Sequence, residues 1–161
     1  MARGTRATTA LTRAGITFTT HVYDHDPRSS SYGLEAAEAL DVEAARVFKT
    51  LVVDLDGTPV VAIVPVTASL DLKRVAAALG GKRAAMADPA VAERATGYVL
   101  GGVSPVGQRR RHRTVLDASA TDWDTVLVSG GRRGLDVELS PGDLAALTGA
   151  VLAVVARARS R

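Results

Sequence analysis

Cysteine is absent from this chain of 161 residues. The absence excludes disulfide bonds, thiolate metal ligands and a protein thiol that could act as a nucleophile. A chain without cysteine also fits a reducing compartment, so we expect a cytoplasmic protein. Long apolar runs are missing as well. Asp54, Asp56 and Gly57 interrupt the longest of them before it reaches the roughly 18 residues of a membrane span, so we expect no contact with a membrane.

Aromatic residues make up only 4% of the chain, which leaves few side chains on which nucleic acid bases could stack. The formal charge is +3, and the arginines that contribute to it are unevenly distributed. They cluster within residues 109–113, at 132–133 and within 157–161. Such clusters suit a phosphate backbone, because guanidinium groups form charge-assisted hydrogen bonds with phosphate oxygens. An ordinary solvated surface is the alternative that the charge by itself leaves open.

The composition is that of a globular protein with a substantial core, since 47% of the residues are hydrophobic and 23% are charged. No internal repeat and no Ser-, Pro- or Gly-rich linker divides the sequence. We therefore expect one domain over residues 1–161, and we expect it to be a monomer.

The strongest local pattern is a β-hairpin over residues 47–66, in which two strands rich in valine flank an Asp56–Gly57 turn. Helical spacing and capping residues predict helices over residues 5–14, 34–40, 72–79, 89–96 and 141–147, the last three capped by Asp71, Asp88 and Ser140. Short apolar segments predict strands at about residues 16–22, 98–100, 114–117, 124–129, 135–139 and 150–156.

The order of these elements is mixed and does not repeat the βαβ unit of a doubly wound parallel sheet. We therefore expect an α/β fold with a mixed, antiparallel-rich β-sheet that curls toward a barrel and has its helices packed outside.

Lys49 stands out within the predicted hairpin. In a strand over 47–55 it shares one face with Val47, Leu51, Val53 and Leu55, all of which are apolar. An ammonium group on such a face is costly unless it reaches a partner, water or a ligand. The alternative is that the side chain extends from the end of the strand into solvent.

Two glycine-rich segments, GGVSPVG at 101–107 and SGGRRG at 129–134, are further candidates for a site. Their glycines let a ligand approach the backbone and leave N–H groups available to it. Tight connections between strands are the alternative. Neither segment matches a Walker A or dinucleotide-binding fingerprint, so we expect no nucleotide cofactor.

The three histidines, His21, His25 and His112, lack the spacing of a metal site, and we expect no metal. The Gly-x-Ser-x-Gly pattern of a serine hydrolase is missing too. The residues by themselves thus offer no nucleophile, metal or cofactor.

Six motifs taken together resemble the YbaK family of aminoacyl-tRNA deacylases, in the same order over about residues 11–150. They are HVYDHD, FKTLVV, LDLKRVA, MADP, ERATGYVLGGVSPVGQRRR and VSGGRRGLDVEL. The combination of GGVSPVGQ with SGGRRGLD points to the Cys-tRNA(Pro) deacylase branch. The resemblance implies a freestanding version of the editing domain inserted in bacterial prolyl-tRNA synthetases, with a mixed β-sheet wrapped by helices.

The resemblance also implies a set of site residues. Lys49 corresponds to the family's pocket lysine, which binds the terminal phosphate or adenosine of the tRNA and holds the ester. Gly101, Gly102 and Ser104 match the loop whose backbone N–H groups steady the ester carbonyl, and Tyr23 matches a further catalytic position. The implied substrate-binding positions are Phe48, Thr50, Arg109, Ser129, Gly131 and Asp136.

The implied reaction is trans-editing of mischarged Cys-tRNA(Pro), as a hydrolase or lyase. The cysteinyl thiol attacks its own ester carbonyl, and tRNA leaves with formation of a cyclic thioester. Such an intramolecular attack gains roughly 7–11 kcal/mol from proximity. Editing of Ala- or Ser-charged tRNA and a non-catalytic tRNA- or synthetase-binding module are the alternatives. We expect the tRNA(Pro) 3′ end as substrate and prolyl-tRNA synthetase as partner, because low aromatic content and modest charge favour weak tRNA discrimination.

Overall fold

The computed structural model describes residues 4–29 and 31–158, in which five α-helices lie among ten strands along the chain. The helices are α1 (Arg6–Arg13), α2 (Tyr32–Leu40), α3 (Leu72–Ala78), α4 (Pro89–Thr96) and α5 (Pro141–Thr148). The strands are β1 (Thr19–Val22), β2 (Phe48–Leu55), β3 (Thr58–Pro65), β4 (Ala68–Leu70), β5 (Ala84–Met86), β6 (Thr114–Asp117), β7 (Val126–Arg132), β8 (Leu135–Leu139), β9 (Val151–Ala153) and β10 (Ala156–Ala158).

The strands of the described residues form three sheets. Their orders are β5-β2-β3-β6-β9, β1-β8-β7 and β10-β4. The pairs β3–β6 and β6–β9 are parallel and the other ladder pairs are antiparallel, so the predicted mixed, antiparallel-rich α/β fold is confirmed. In this part of the chain no sheet closes into a barrel, because the strands divide among separate sheets.

The hairpin predicted over 47–66 is confirmed by the full antiparallel pairing of β2 with β3, in which Leu55 lies opposite Thr58 at the turn. The turn residues Asp56 and Gly57 have φ angles of 52° and 88°. Both angles are left-handed, as a type I′ turn requires. The Asp54 carboxylate accepts a hydrogen bond of 2.8 Å from the Gly57 N–H and so fixes the turn from the preceding strand.

Two of the three predicted helix caps are confirmed. The Asp71 carboxylate accepts a hydrogen bond from the Arg74 N–H at 3.3 Å, and the Ser140 hydroxyl accepts one from the Asp143 N–H at 3.1 Å. Asp88 precedes α4 as predicted, but its side chain makes no capping bond among the described residues. The start of α4 depends instead on proline at its first turn, which is preorganised for a helix.

The strand predicted over residues 98–100 is wrong, because the chain turns back there. The Leu100 N–H donates to the Glu93 carboxylate at 2.9 Å, and the Gly102 N–H donates to the Val99 carbonyl at 2.9 Å. The first bond attaches Leu100 to α4 and the second closes a turn over residues 99–102, so the segment does not extend as a strand.

The single strand predicted over residues 150–156 is also wrong. It is two strands, of which β9 pairs with β6 and β10 pairs with β4 in another sheet. Between them, the buried Asp117 carboxylate accepts hydrogen bonds of 2.9 Å from the Val155 and Ala156 N–H groups. The sequence of residues 150–156 does not predict this break, because the carboxylate that causes it belongs to Asp117 in β6.

Apolar side chains cover both faces of the five-stranded sheet. One face packs against α3 through Val53, Leu55, Val60, Ala62, Val64, Val75, Leu79 and Val115. The other face packs against the three-stranded sheet, α1 and α5 through Phe48, Val61, Ile63, Leu116, Val126, Val128, Val137, Leu139, Leu11 and Leu144. A third cluster contains Ala37 of α2 together with Val47, Val66 and Leu127. This last cluster holds α2 next to the beginning of β2.

Candidate active site

A cavity of about 320 Å³ lies beside the first half of β2. β3 pairs with β2 throughout, whereas β5 pairs with the other edge only from Val53 to Leu55. Between Val47, which bridges Leu127 of β7, and Val53 that edge carries no strand ladder among the described residues, and residues 47–51 all line the cavity. The remaining lining residues are Tyr23, Ser31, Tyr32, Gly33, Leu34, Val66, Leu100, Gly101, Val103, Ser129 and Asp136.

The three-stranded sheet supplies polar side chains to this cavity. Asp136 of β8 lies directly opposite Ser129 of β7, so the two side chains share one face of the sheet. Tyr23 follows β1, and its N–H donates to the Gly134 carbonyl at 2.9 Å, which continues the pairing of β1 with β8 past the strand end. Strand pairing thus brings together three polar residues that lie far apart in the sequence.

Lys49 lies in the half-exposed part of β2 and lines the cavity. Further along the same face, Val53 and Leu55 are buried under α3 and Leu51 packs against them. The prediction that Lys49 shares a strand face with apolar residues is confirmed. The structure also shows what the pattern could not, namely that this end of the face opens on a cavity.

Burial changes the acidity of two groups in the cavity. It raises the pKa of Asp136 to about 7, so this carboxyl can exchange a proton near neutral pH. Burial and then the charge of the neighbouring Asp136 carboxylate raise the pKa of Tyr23 to about 12. The Tyr23 phenol therefore stays protonated and can donate a hydrogen bond at neutral pH.

Two hydroxyl groups also face the cavity region. The Ser129 hydroxyl accepts a hydrogen bond from the Gly131 N–H at 3.2 Å. The Thr50 Oγ1 atom is buried, and within the described residues it has no hydrogen-bond partner. An unsatisfied buried hydroxyl costs about 1–3 kcal/mol, which a bound ligand can recover by pairing with it. Thr50 is thus a candidate contact for the substrate.

The two glycine-rich segments meet at the cavity. Gly101 has a φ of +82°, and a Cβ added there would lie 2.8 Å from the Arg133 Nε atom and 2.9 Å from the Tyr32 ring. A Cβ on Gly102 would lie 2.8 Å from the Arg132 Cα atom. The loop that contains both glycines therefore packs directly on the backbone of the second glycine-rich segment, which no residue with a side chain would allow without displacement.

Four residues that the sequence assigned to the site do not line the cavity, and three of them have local structural contacts instead. The Gly102 N–H donates a hydrogen bond to the Val99 carbonyl. Ser104 is fully buried and its hydroxyl accepts a hydrogen bond from the Val106 N–H at 3.2 Å. Gly131 packs against Tyr98.

The fourth of these residues, Arg109, lies in a separate cleft. The cavity is lined instead by Gly101 and Val103, and among the described residues their N–H groups have no hydrogen-bond partner.

The start of α2 also contributes to the cavity, which the sequence did not predict. Tyr32 lines the cavity, with the Arg133 guanidinium 5.1 Å from its ring centroid and the His25 ring 5.6 Å away. Arg133 in turn donates a hydrogen bond to the Leu100 carbonyl at 2.8 Å. One signal was present in the sequence, since glycine follows Tyr32 inside a helix. A Cβ on Gly33 would lie 2.1 Å from the Val66 side chain.

The loop before α2 is fixed by Glu35. Its carboxylate contacts the His25 Nδ1 atom at 2.7 Å and accepts a hydrogen bond from the Asp26 N–H at 2.9 Å. His25 is therefore part of the rim that positions Tyr32. In residues 4–29 and 31–158 no group of three His, Asp or Glu side chains is placed to hold a metal ion. No helix there is long and apolar enough to cross a membrane.

Comparison with known proteins identifies the family. The model of the aminoacyl-tRNA editing domain matches residues 28–147, which is more than half of the chain. The chain belongs to the aminoacyl-tRNA editing domain family. The resemblance to YbaK-type proteins is thereby confirmed, and the chain is an aminoacyl-tRNA deacylase.

Two relatives support this membership. EbsC of Enterococcus faecalis, provisionally named a Cys-tRNA(Pro)/Cys-tRNA(Cys) deacylase, is 42% identical over 113 residues, which cover 70% of this editing domain and 69% of EbsC. The uncharacterised protein YwhH of Bacillus subtilis is 33% identical over 117 residues, which cover 72% of this chain and 74% of YwhH.

Solved structures share the fold. The hypothetical protein APE2540 superposes with a TM-score of 0.84 at 27% identity, covering 95% of the editing domain and all of that chain. A provisionally assigned trans-editing enzyme for prolyl-tRNA synthetase superposes with a TM-score of 0.81 at 28% identity, covering 94% of this chain and 95% of the other.

Proposed function

We propose that this editing domain deacylates mischarged Cys-tRNA(Pro), and that the substrate thiol is the nucleophile, so that the amino acid leaves as a cyclic thioester. The observation that carries the proposal is the cavity beside β2, where an ammonium group, a buried carboxyl and backbone amides converge. Its volume of about 320 Å³ is at the small end of ligand sites, which suits a small aminoacyl ester and part of the terminal adenosine.

Lys49 and the first glycine-rich loop have complementary roles in this proposal. The Lys49 ammonium holds the terminal phosphate or ribose of the tRNA, which places the ester in the cavity. The N–H groups of Gly101 and Val103 then stabilise the negative charge that develops on the ester carbonyl. One well-placed donor of this kind lowers a barrier by about 3 kcal/mol. Gly102, whose N–H is already bonded, supports the loop and does not take part directly.

In the same proposal Asp136 accepts the proton of the substrate thiol, and Tyr23 donates a hydrogen bond. A cysteine thiol has an ordinary pKa of about 8.5. A carboxylate whose pKa is about 7 is therefore a closely matched acceptor for its proton. The thiolate sulfur bonds to the carbonyl carbon, the bond from that carbon to the ribose oxygen breaks, and the proton passes to the ribose oxygen of the departing tRNA. The Tyr23 phenol donates a hydrogen bond to the reacting groups.

A panel of charged tRNAs tests the thiol route. We expect rapid deacylation of Cys-tRNA(Pro) and slow deacylation of Ser-tRNA(Pro), Ala-tRNA(Pro) and tRNA(Pro) charged with S-methylcysteine. Equal rates with cysteine and S-methylcysteine would overturn thiol assistance while leaving the deacylase intact. Faster release of alanine or serine would assign the domain to another editing specificity. No hydrolysis of any member would leave only a binding role.

Lys49→Ala tests the site itself. We expect kcat/KM for Cys-tRNA(Pro) to fall by about 10²-fold or more, because the ester loses its anchor. Lys73→Ala is the matched control, since Lys73 is an exposed lysine on α3, away from the cavity. A Lys49→Ala variant that keeps wild-type kcat/KM would refute the assignment.

Selection of tRNA(Pro) lies outside this domain in our proposal, and prolyl-tRNA synthetase supplies it. The low aromatic content supports weak intrinsic discrimination. The name of EbsC, which covers both Cys-tRNA(Pro) and Cys-tRNA(Cys), supports it as well. We expect the isolated protein to clear both substrates at similar rates, and added synthetase to favour Cys-tRNA(Pro). A strong preference without the synthetase would place the selection in this chain.

A further inference from the structure

A second concave surface of the editing domain is strongly basic. It has a volume of about 810 Å³ and is lined by Thr58 and Pro59 at the start of β3, by part of α4 and by the segment that precedes β6. We call it the arginine cleft, after its five exposed arginines. These are Arg94, Arg109, Arg110, Arg111 and Arg113.

The arginines of the cleft are not neutralised by the protein. Among the described residues none of the five has an ion-pair partner, whereas Arg28, Arg46 and Arg74 elsewhere in the chain do. Within residues 4–29 and 31–158, Arg113 is the one member of the five that donates to a backbone carbonyl, that of Leu79. The crowding of positive charge is evident at His112, where burial and then the charge of Arg110 lower the pKa. A cluster of unpaired guanidinium groups attracts an external anion.

The chemistry of the cleft favours a chain of phosphates. Guanidinium groups form bidentate, charge-assisted hydrogen bonds with phosphate oxygens. The lining contains no phenylalanine, tyrosine or tryptophan, so bases cannot stack there on aromatic rings. Contacts of this kind hold the backbone of a nucleic acid without reading its sequence.

The position of the cleft relates it to the cavity. Pro59, near the start of β3, lines the cleft, and Val66, the residue that follows β3, lines the cavity. A strand rises by about 3.3 Å per residue, so the two sites are about 20 Å apart along the hairpin. A nucleic acid strand that spans this distance has several phosphates between the two sites.

We propose that the arginine cleft binds the sugar–phosphate backbone of the tRNA acceptor arm, several nucleotides from the esterified 3′ end. The inference rests on the proposed function, because that function places the 3′ end in the cavity beside β2. The cavity then selects the amino acid, and the cleft contributes affinity that depends on salt and not on base sequence.

The test separates RNA binding from catalysis. The cleft variant is Arg94→Gln/Arg110→Gln/Arg111→Gln, and the matched control is Lys73→Gln/Lys82→Gln/Arg83→Gln, which removes the same charge from exposed positions outside the cleft. Binding of uncharged tRNA(Pro) is measured by fluorescence anisotropy at several salt concentrations. Thermal unfolding of each variant verifies that it is folded.

We expect the cleft variant to bind uncharged tRNA more weakly, with a salt slope reduced by about 2 to 3, since each lost phosphate contact removes roughly one unit. The control keeps the wild-type slope. Wild-type binding and slope in the cleft variant, or an equal loss in the control, would overturn the proposal. Unchanged tRNA binding with lost binding of prolyl-tRNA synthetase would also overturn it, because the cleft would then be a protein interface.

A short substrate distinguishes a failure of the cleft proposal from a failure of the proposed function. O-Cysteinyl-adenosine fills the cavity but cannot reach the cleft. We expect the ratio of kcat/KM for Cys-tRNA(Pro) to kcat/KM for the short ester to fall roughly tenfold in the cleft variant. The fall should come from a higher KM for Cys-tRNA(Pro), with kcat unchanged. An unchanged ratio would contradict the proposal. If the wild type hydrolyses neither substrate, the deacylation proposal fails, while the binding measurement still decides the role of the cleft.

Discussion

Ser129 and Asp136 lie directly opposite each other in the antiparallel pair β7–β8, and both line the cavity beside β2. Ser129 is the last regularly paired residue before a bulge, where the register shifts between Ser129 and Arg132. The bulge begins where the second glycine-rich segment begins. A carboxyl and a hydroxyl group are thus held on one face of a rigid sheet, and the irregular backbone needed for contact with the first glycine-rich loop follows immediately.

Asp136→Asn changes the dependence of stability on pH. An unfolded aspartate has a pKa of about 3.9. Burial raises the pKa of Asp136 to about 7, so between pH 4 and pH 7 the folded protein binds more protons than the unfolded one. Stability of the wild type therefore falls as the pH rises through this window, by at most about 4 kcal/mol. We expect Asp136→Asn to be more stable than wild type at pH 8 and similar to it at pH 4, as measured by urea unfolding.

The exposed Glu38→Gln variant is the control for this measurement. Its stability relative to wild type should change little over the same pH range. If the stability of Asp136→Asn follows that of the wild type at every pH, folding does not raise the pKa of the Asp136 carboxyl. The same variant should lose the rise of deacylation rate with pH through about 7, because an amide cannot accept the thiol proton.

Gly101→Ala should reduce both stability and activity. Its φ of +82° is left-handed, and its Cβ would collide with Arg133 and Tyr32. We expect a loss of about 1–2 kcal/mol from backbone strain, and a larger loss in kcat/KM, because the loop that lines the cavity must move. Gly142→Ala is the matched control, since a Cβ there meets nothing within 4 Å. Calorimetry that finds Gly101→Ala as stable as wild type would contradict this account of the loop.

Thr50→Val separates stability from function. The variant removes a buried hydroxyl that has no partner within the described residues, so we expect stability to stay the same or rise by up to about 1 kcal/mol. If the substrate pairs with this hydroxyl, kcat/KM falls at the same time. Thr148→Val is the contrast, because the Thr148 hydroxyl donates to the Leu144 carbonyl at 2.8 Å. It should lose about 1 kcal/mol without a specific effect on deacylation. Marked destabilisation by Thr50→Val would mean that its hydroxyl is satisfied.

Asp117→Ala should destabilise the whole C-terminal segment. Four donors surround this buried carboxylate, namely the N–H groups of Val155, Ala156 and Ser119 and the Ser119 hydroxyl. Burial raises its pKa, but these hydrogen bonds outweigh burial and lower the pKa overall. Its stabilisation is therefore lost as the pH falls below about 4.

We expect Asp117→Ala to cost about 2–4 kcal/mol at neutral pH in urea unfolding, because buried N–H groups lose their acceptor. The exposed Asp122→Ala should cost less than about 0.5 kcal/mol. Equal effects of the two substitutions would show that Asp117 does not connect the two sheets. Between pH 7 and pH 3 the difference between wild type and Asp117→Ala should shrink.

The sequence by itself determined the features that depend on neighbouring residues. The hairpin follows from alternation around Asp56–Gly57, and two helix starts follow from Asp71 and Ser140. The position of Lys49 at the end of an apolar strand face follows from a period of two. The order of the motifs indicated the family, which the match of the editing-domain model over residues 28–147 confirms.

Only the tertiary structure decided which of these residues meet. Tyr23 and Asp136 become neighbours because β1 pairs with β8, and Tyr32 reaches the cavity because α2 packs next to β2. Ser104 matched the site motif but is fully buried within its loop and does not line the cavity. Contacts between distant segments depend on strand order and on the close approach of backbones, neither of which leaves a periodic signal in one chain. The chemistry was therefore present in the sequence, whereas its assembly into a cavity was not.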